Sequence, residues 1–142
     1  MDIRPEDYEK KILAFDYGEA RIGIAIKPSD QSSAEPLITL KNDASLWPQI
    51  EGLINLHEPD LIVVGRPRNL EGDSTAQTIE AEQFAVKLAG SYNNKIELQD
   101  EALTTEHAEE RIPKNLSSNR RDVIDQYAAC IILEHYIQEA QK

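Results

Sequence analysis

Two short apolar runs, Ile12 to Phe15 and Ile22 to Ile26, flank the polar segment Asp16-Tyr17-Gly18-Glu19-Ala20, a spacing that predicts a β-hairpin with a carboxylate at the end of its first strand. Residues 1–10 read as a polar lead-in. Turn residues from Lys27 to Glu35, among them Pro28, Ser29, Asp30, Ser32 and Ser33, lead into a short third strand around Leu37 to Leu40. Leu46, Ile50, Leu53 and Ile54 then recur at helical spacing, with Pro48 in the first turn and Pro59 as a stop. Asp60 to Gly65, DLIVVG, is a continuous apolar run suited to a parallel strand buried on both faces. Ser74 with Gln77 has the spacing of a capping box, opening a helix whose buried stripe is Ala81, Phe84, Ala85 and Leu88 and which Gly90 ends. Lys95 to Glu101 alternates as a fifth strand, Thr104 and Thr105 can cap a short helix closed by Pro113, and a last helix starts at Ser117 to Asn119 and runs apolar from Val123 to Ile137. The order βββαβαβα predicts an α/β fold in which a mixed five-stranded sheet is flanked by helices.

Composition narrows the classes. The 142 residues fit one domain, residues 1–142, with 40% hydrophobic and 29% charged residues. No apolar run approaches the roughly 20 residues of a membrane span, and the charged N-terminus has no signal core, so no membrane partner and a cytoplasmic location are expected. The lone cysteine, Cys130, sits in an apolar helical stretch and reads as packing. A net charge of −11 opposes nucleic-acid binding, yet Arg111 to Arg121, RIPKNLSSNRR, holds four basic residues and no acid.

Three carboxylates stand out. Asp16 beside buried strand positions is either a hydrogen-bonding bend residue or a cation ligand. Asp125 shares a helical stripe with Ala129, Ile132 and Tyr136, and small Ala128 and Ala129 would let that helix approach the sheet; its alternative is pairing with Arg120 or Arg121. If the fifth strand runs parallel beside the first, Glu101 (or its rival Asp100) ends at the same sheet edge as Asp16. Acids brought together repel unless one is protonated or a divalent cation lies between them, and hard oxygen donors suit Mg2+ or Mn2+. Gly65-Arg66-Pro67-Arg68-Asn69 before a capped helix reads as an anion site or as a loop solvated by its arginines. His57, His107 and His135 lack metal-ligand spacing and read as surface or helix-face residues, and Trp47 as core or interface.

Four segments in order, AFDYGEARIGIAI, LIVVGRPRNLEG, DEALTTEHAEERI and RDVIDQYAACIILEHYI, resemble the YqgF-type (RuvX) group of ribonuclease-H-like proteins, described as candidate Holliday-junction resolvases and as nucleases that mature pre-ribosomal RNA. The resemblance spans nearly the whole chain from about Ile12. It implies a ribonuclease-H-like sheet and phosphodiester hydrolysis with Mg2+ or Mn2+, with Asp16, Glu101 and Asp125 as the catalytic and metal-binding acids. Gly18, Arg21 and Gly23 match the hairpin, and Gly65, Pro67 and Gly72 the loop. Unlike many ribonuclease-H-like nucleases, the central strand carries no acid, and PKNLSSNRR is less uniformly basic than the family pattern.

The expectation is a cytoplasmic, metal-dependent endonuclease acting on structured RNA or branched DNA, either in processing the 5′ end of pre-ribosomal RNA or in resolving Holliday junctions. Arg21, Arg66, Arg68, Arg111, Lys114, Arg120 and Arg121 would position backbone phosphates without reading sequence. Symmetric junction cleavage would call for a homodimer; RNA trimming would not. The rivals are a nucleotide-binding domain of the related actin and sugar-kinase type and a non-catalytic nucleic-acid-binding adaptor.

Overall fold

The computed structural model describes residues 3, 5–101, 108, 110–114 and 120–140. Its elements are α1 (Pro5–Tyr8), β1 (Ile12–Tyr17), β2 (Arg21–Lys27), β3 (Glu35–Lys41), α2 (Leu46–His57), β4 (Leu61–Pro67), α3 (Ala76–Ser91), β5 (Lys95–Glu101) and α4 (Arg120–Ala140). Thr104, Thr105 and His107 lie outside the described residues, as does the helix start at Ser117 to Asn119. No helix among the described residues is long and apolar enough to cross a membrane.

The strands form one sheet in the order β3-β2-β1-β4-β5. The β1–β2 and β2–β3 pairs are antiparallel, and β1–β4 and β4–β5 are parallel. One expectation needs correcting: β5 does not lie beside β1, because the crossover through α3 returns the chain to the far side of β4. All three strands still run the same way, so Asp16 and Glu101 end at one edge with β4 between them.

Three local expectations also change. The lead-in is not simply polar: it forms α1, whose Asp7 is buried. Lys27, also buried, anchors this region by donating from Nζ to the carbonyls of Tyr8 (2.9 Å), Pro28 (2.8 Å) and Gln31 (2.8 Å), which replace the water an ammonium would otherwise hold. The capping box lies one residue later than Ser74. Thr75 is the N-cap and Thr78 the reciprocal partner, with the Thr78 hydroxyl also donating to the Pro67 carbonyl. Hydroxyl residues at both ends make this pair, a variant that the Ser/Thr-x-x-Glu/Gln pattern passes over. Finally, α3 continues through Gly90 and ends at an extended Tyr92.

Period-two alternation assigns the strand residues to two faces. Leu13, Phe15, Ile22, Ile24, Ile62 and Val64 pack with residues of α2 and α3 in the larger core. Ile12, Ala14, Leu61 and Val63 pack against Ile132, Leu133 and Ile137 of α4 on the other face. Ala25 meets Ala129 and Cys130 there, whereas Ala128 turns to Ala108 and Ile131. Cys130 is buried, which pushes its thiol up to about 12 and makes it a packing residue.

Two glycines set how closely α4 lies on the sheet. A Cβ on Gly23 would stand 2.0 Å from the Asp125 carbonyl oxygen and 2.3 Å from its carbon, so the helix backbone occupies the place of a side chain. A Cβ on Gly65 would meet only the tip of Ile132, at 2.4 Å. Gly23→Ala should therefore destabilise the fold by about 3 kcal/mol or more, since backbone cannot yield as a side-chain tip can. Gly52→Ala is the internal control: nothing lies within 4 Å of its added methyl inside α2, and stability should rise by up to about 1 kcal/mol. Urea unfolding of both variants against wild type measures the two effects.

Candidate active site

Asp16 pairs across the hairpin with Gly23, on which the backbone of Asp125 rests. One strand register and one missing side chain thus bring the carboxylate of β1 next to that of α4. Glu101 arrives by alternation: Glu97, Gln99 and Glu101 face α4, meeting Tyr136, Glu139 and His135. Asp100 points the other way, where Arg66 Nε donates to it at 2.5 Å and Arg68 Nε at 3.3 Å. These arginines hold the Asp100 carboxyl below its ordinary range, the Arg66 hydrogen bond contributing most. Glu101, not Asp100, is the acid that faces the cavity.

Asp16, Glu101 and Asp125 line one cavity of about 240 Å³ at the C-terminal edge of the parallel strands, together with Gly65 and Pro67 of β4. Glu19 of the hairpin turn and Glu80 of α3 add further carboxylates. Burial, then the charges of Asp125 and Glu101, push Asp16 up to about 7 from its ordinary 3.8. Glu101 is raised as well, chiefly by burial, against the lowering effect of its His135 hydrogen bond.

Two side chains hold these acids in place. Arg21 Nε donates to Asp125 Oδ2 at 2.7 Å, leaving Oδ1 without a hydrogen bond among the described residues. His135 Nδ1 lies 2.9 Å from Glu101 Oε2 in a hydrogen bond and 2.7 Å from Oε1, which is buried and has no aligned partner. As they sit, no three His, Cys, Asp or Glu side chains among the described residues are close enough to share an ion. The donor set nonetheless fits a hard divalent cation: the acids line open space, burial and then their charges raise Asp16, and among the described residues Glu101 Oε1 and Asp125 Oδ1 accept no hydrogen bond.

The remaining basic candidates are spread out. Arg66 also reaches Glu82 at 3.3 Å, Arg68 donates to the Ser74 hydroxyl, and Arg111 makes a two-pronged pair with Glu134 at 2.8 and 2.9 Å. Lys114, Arg120 and Arg121 are exposed, and Arg121 borders a separate groove with Arg21 and Lys41. Asp125 is held by Arg21, not by Arg120 or Arg121. Sequence reasoning missed Glu80, which nothing but its distance from the helix start marks out, and His135, whose role appears only when β5 and α4 are laid side by side.

The fold is ribonuclease-H-like. The fold matches the Fowlpox virus resolvase solved with Holliday junction DNA, with a TM-score of 0.57 at 12% identity over 93% of this chain and 99% of that one. It also matches Thermus thermophilus RuvC, with a TM-score of 0.50 at 11% identity over 92% and 96%. Within that class the chain belongs to the RuvX family, whose model, described as Holliday junction resolvase, matches residues 10–139. Relatives bearing the name of a candidate pre-16S rRNA nuclease include those of Nitrosococcus oceani, 40% identical over 99% of this chain and 95% of the relative, and Shewanella denitrificans, 37% identical over 89% and 93%.

The raised Asp16 has a thermodynamic consequence. Folding takes its carboxyl from 3.8 to about 7, so between these values the folded state binds the extra proton and the unfolded state does not. Its contribution to stability therefore falls as pH rises through that window and stays low above it. In chelator, Asp16→Asn should flatten the decline and raise the melting temperature at pH 8 by on the order of 5 °C. Thermal melts of both proteins from pH 4 to 8 measure this; a variant less stable at pH 8 would make Asp16 a structural bend residue.

Proposed function

We propose that this RuvX-family chain is a cytoplasmic, single-domain nuclease that hydrolyses phosphodiester bonds of structured nucleic acid with a divalent cation, and that its substrate is the 5′ region of pre-ribosomal RNA. The observation that carries this reading is the meeting of Asp16, Glu101 and Asp125 in one cavity, where burial and then the other two acids raise Asp16. The names of the relatives support RNA. The family description favours a second reading, resolution of four-way DNA junctions, which would use a homodimer to cut both strands symmetrically.

Mg2+ or Mn2+ held by Asp16, Glu101 and Asp125 would supply a polarised phosphate oxygen and a water of lowered pKa. The chain's own residues do the positioning. Arg21 fixes one oxygen of Asp125, and His135 fixes the rotamer of Glu101. Arg66 and Arg68 keep Asp100 on the opposite face, so that it does not compete for the same ion. Arg21, Arg66, Arg68 and Arg111, each already paired with a carboxylate, and the exposed Lys114, Arg120 and Arg121 would contact phosphates.

Labelled pre-ribosomal RNA, four-way junctions and duplexes, each incubated with and without Mn2+, test the activity and its substrate. Metal-dependent cleavage of the precursor is expected, and Asp16→Asn, Glu101→Gln and Asp125→Asn should each abolish it with the fold intact. Binding without cleavage would make the chain an adaptor, and saturable ATP binding would favour the nucleotide-binding rival.

Replacing Arg120 and Arg121 by Glu should weaken substrate binding and flatten its dependence on salt, because fewer counterions are released. Binding titrations at several salt concentrations, with circular dichroism as folding control, measure this. An unchanged slope would route the strand over Arg66 and Arg68.

A further inference from the structure

A second cavity, of about 230 Å³, opens on the other face of the sheet and is bordered by Tyr17, Asn42, Trp47, Gln83, Phe84 and Lys87. Phe84, 5% exposed, is its floor: Tyr17 stacks on it at 4.9 Å and 30°, and Trp47 leans on it at 5.5 Å and 44°. Trp47 and Tyr17 are only partly buried, so the aromatic cluster is left open. Its rim is polar. The Lys87 ammonium stands 4.5 Å from the Trp47 ring centre, and Asn42 is fixed by donating to the Gly18 carbonyl at 2.9 Å. The Trp47 indole N–H and the Gln83 amide make no hydrogen bond among the described residues.

This cavity adjoins the carboxylate cavity. Tyr17 and Glu80 line both. Asp16 and Tyr17 are consecutive residues at the end of β1, so alternation sends the acid to the α4 face and the ring to the α3 face. A nucleotide has the same construction, an anionic phosphate and a planar heteroaromatic base joined through one sugar.

We infer that the aromatic cavity is a subsite for one unpaired nucleobase of the strand whose phosphate lies at Asp16, Glu101 and Asp125. The inference rests on the carboxylate cavity being the place of cleavage. Open aromatic walls supply stacking, which every base can use, while the free indole N–H, the Gln83 amide and Lys87 supply donors to base-edge acceptors. A base within an intact duplex cannot enter, so the substrate must offer an unpaired nucleotide beside the cleaved bond. Loops, ends and bulges meet that requirement; uninterrupted duplex does not.

Trp47 is the chain's single tryptophan, so its fluorescence reports on this cavity alone. The probes, all in chelator so that nothing is cut, are a short single-stranded RNA, its DNA counterpart, an abasic strand of equal length, an RNA duplex and a four-way junction. Saturable quenching by the single strands, and none by the abasic strand or the duplex, is expected; RNA against DNA shows whether the sugar matters, and the junction whether branch-point bases enter. With a labelled single strand followed by anisotropy, Trp47→Ala should weaken binding about tenfold or more, whereas Trp47→Phe should restore most of it. Should Trp47→Ala fail to fold, Gln83→Ala with Lys87→Ala on the exposed side of α3 replaces it, with a smaller loss expected. Tight binding of the single strand with unchanged Trp47 emission, equal binding of the abasic strand, or no binding of any probe overturns the subsite. Metal-dependent cleavage is scored separately. Base-dependent quenching without cleavage would leave the subsite standing and overturn the nuclease reading, and cleavage without base dependence would do the reverse.

Discussion

The carbonyl of Asp125 lies where a side chain on Gly23 would be, and the approach of Asp125 to Asp16 depends on that contact. A helix resting on ordinary side chains sits well off the sheet, and its carboxylates meet solvent before they meet a strand residue. Here the backbone of α4 touches the strand directly opposite Asp16. The contact continues along the helix through Ala129 on Ala25 and Ile132 over Gly65, so small residues on both partners keep it close. Crowding acids in this way is unfavourable by itself, and burial together with the neighbouring charges raises Asp16. The apolar contacts of Ile132, Leu133 and Ile137 with β1 and β4 hold the helix in place against it.

An acidic protein that handles nucleic acid must keep its negative charge from repelling the backbone everywhere but the reaction centre. On the proposed function this chain would use its arginines twice over. Arg66 and Arg68 neutralise Asp100, Arg111 neutralises Glu134, and Arg21 neutralises Asp125. Each pair is partly exposed, so an arginine can turn toward a phosphate with little loss, since exposed pairs contribute about 1 kcal/mol or less. The net charge of −11 therefore overstates the repulsion near the strand ends, while Asp16, Glu19 and Glu80 of the cavity make no ion pair among the described residues.

Most of the fold was legible because its signals are local. The alternation of β5 and the helical spacing in α2 fix element type without reference to any partner, and the observed bounds of β5 are those its alternation indicates. The carboxylates could be singled out for the same reason: Asp16 interrupts an apolar strand and Asp125 lies on a packed stripe. What could not be read were facts of lateral order and partner choice. Nothing in the sequence places β4 between β1 and β5, distinguishes Arg21 from Arg120 as the partner of Asp125, or pairs His135 with Glu101 across 34 residues. Thr75 with Thr78 shows a milder failure, in which the chemistry of a cap was right and its position was off by one residue.

The choice between Asp100 and Glu101 shows how such gaps close. By composition the two are interchangeable, and both sit at a strand end. Yet a strand gives its neighbours opposite faces, and Arg66, whose Cα partner is Asp100, lies on the face away from α4. Once that pair forms, Glu101 has to turn toward α4, where His135 and the cavity await it. The same alternation at β1 turns Asp16 and Tyr17 apart, sending the one to a carboxylate cluster and the other to an aromatic one. The C-terminal edge of the parallel strands is where the carboxylate cavity and the aromatic cavity meet, because consecutive residues there serve opposite faces of one sheet.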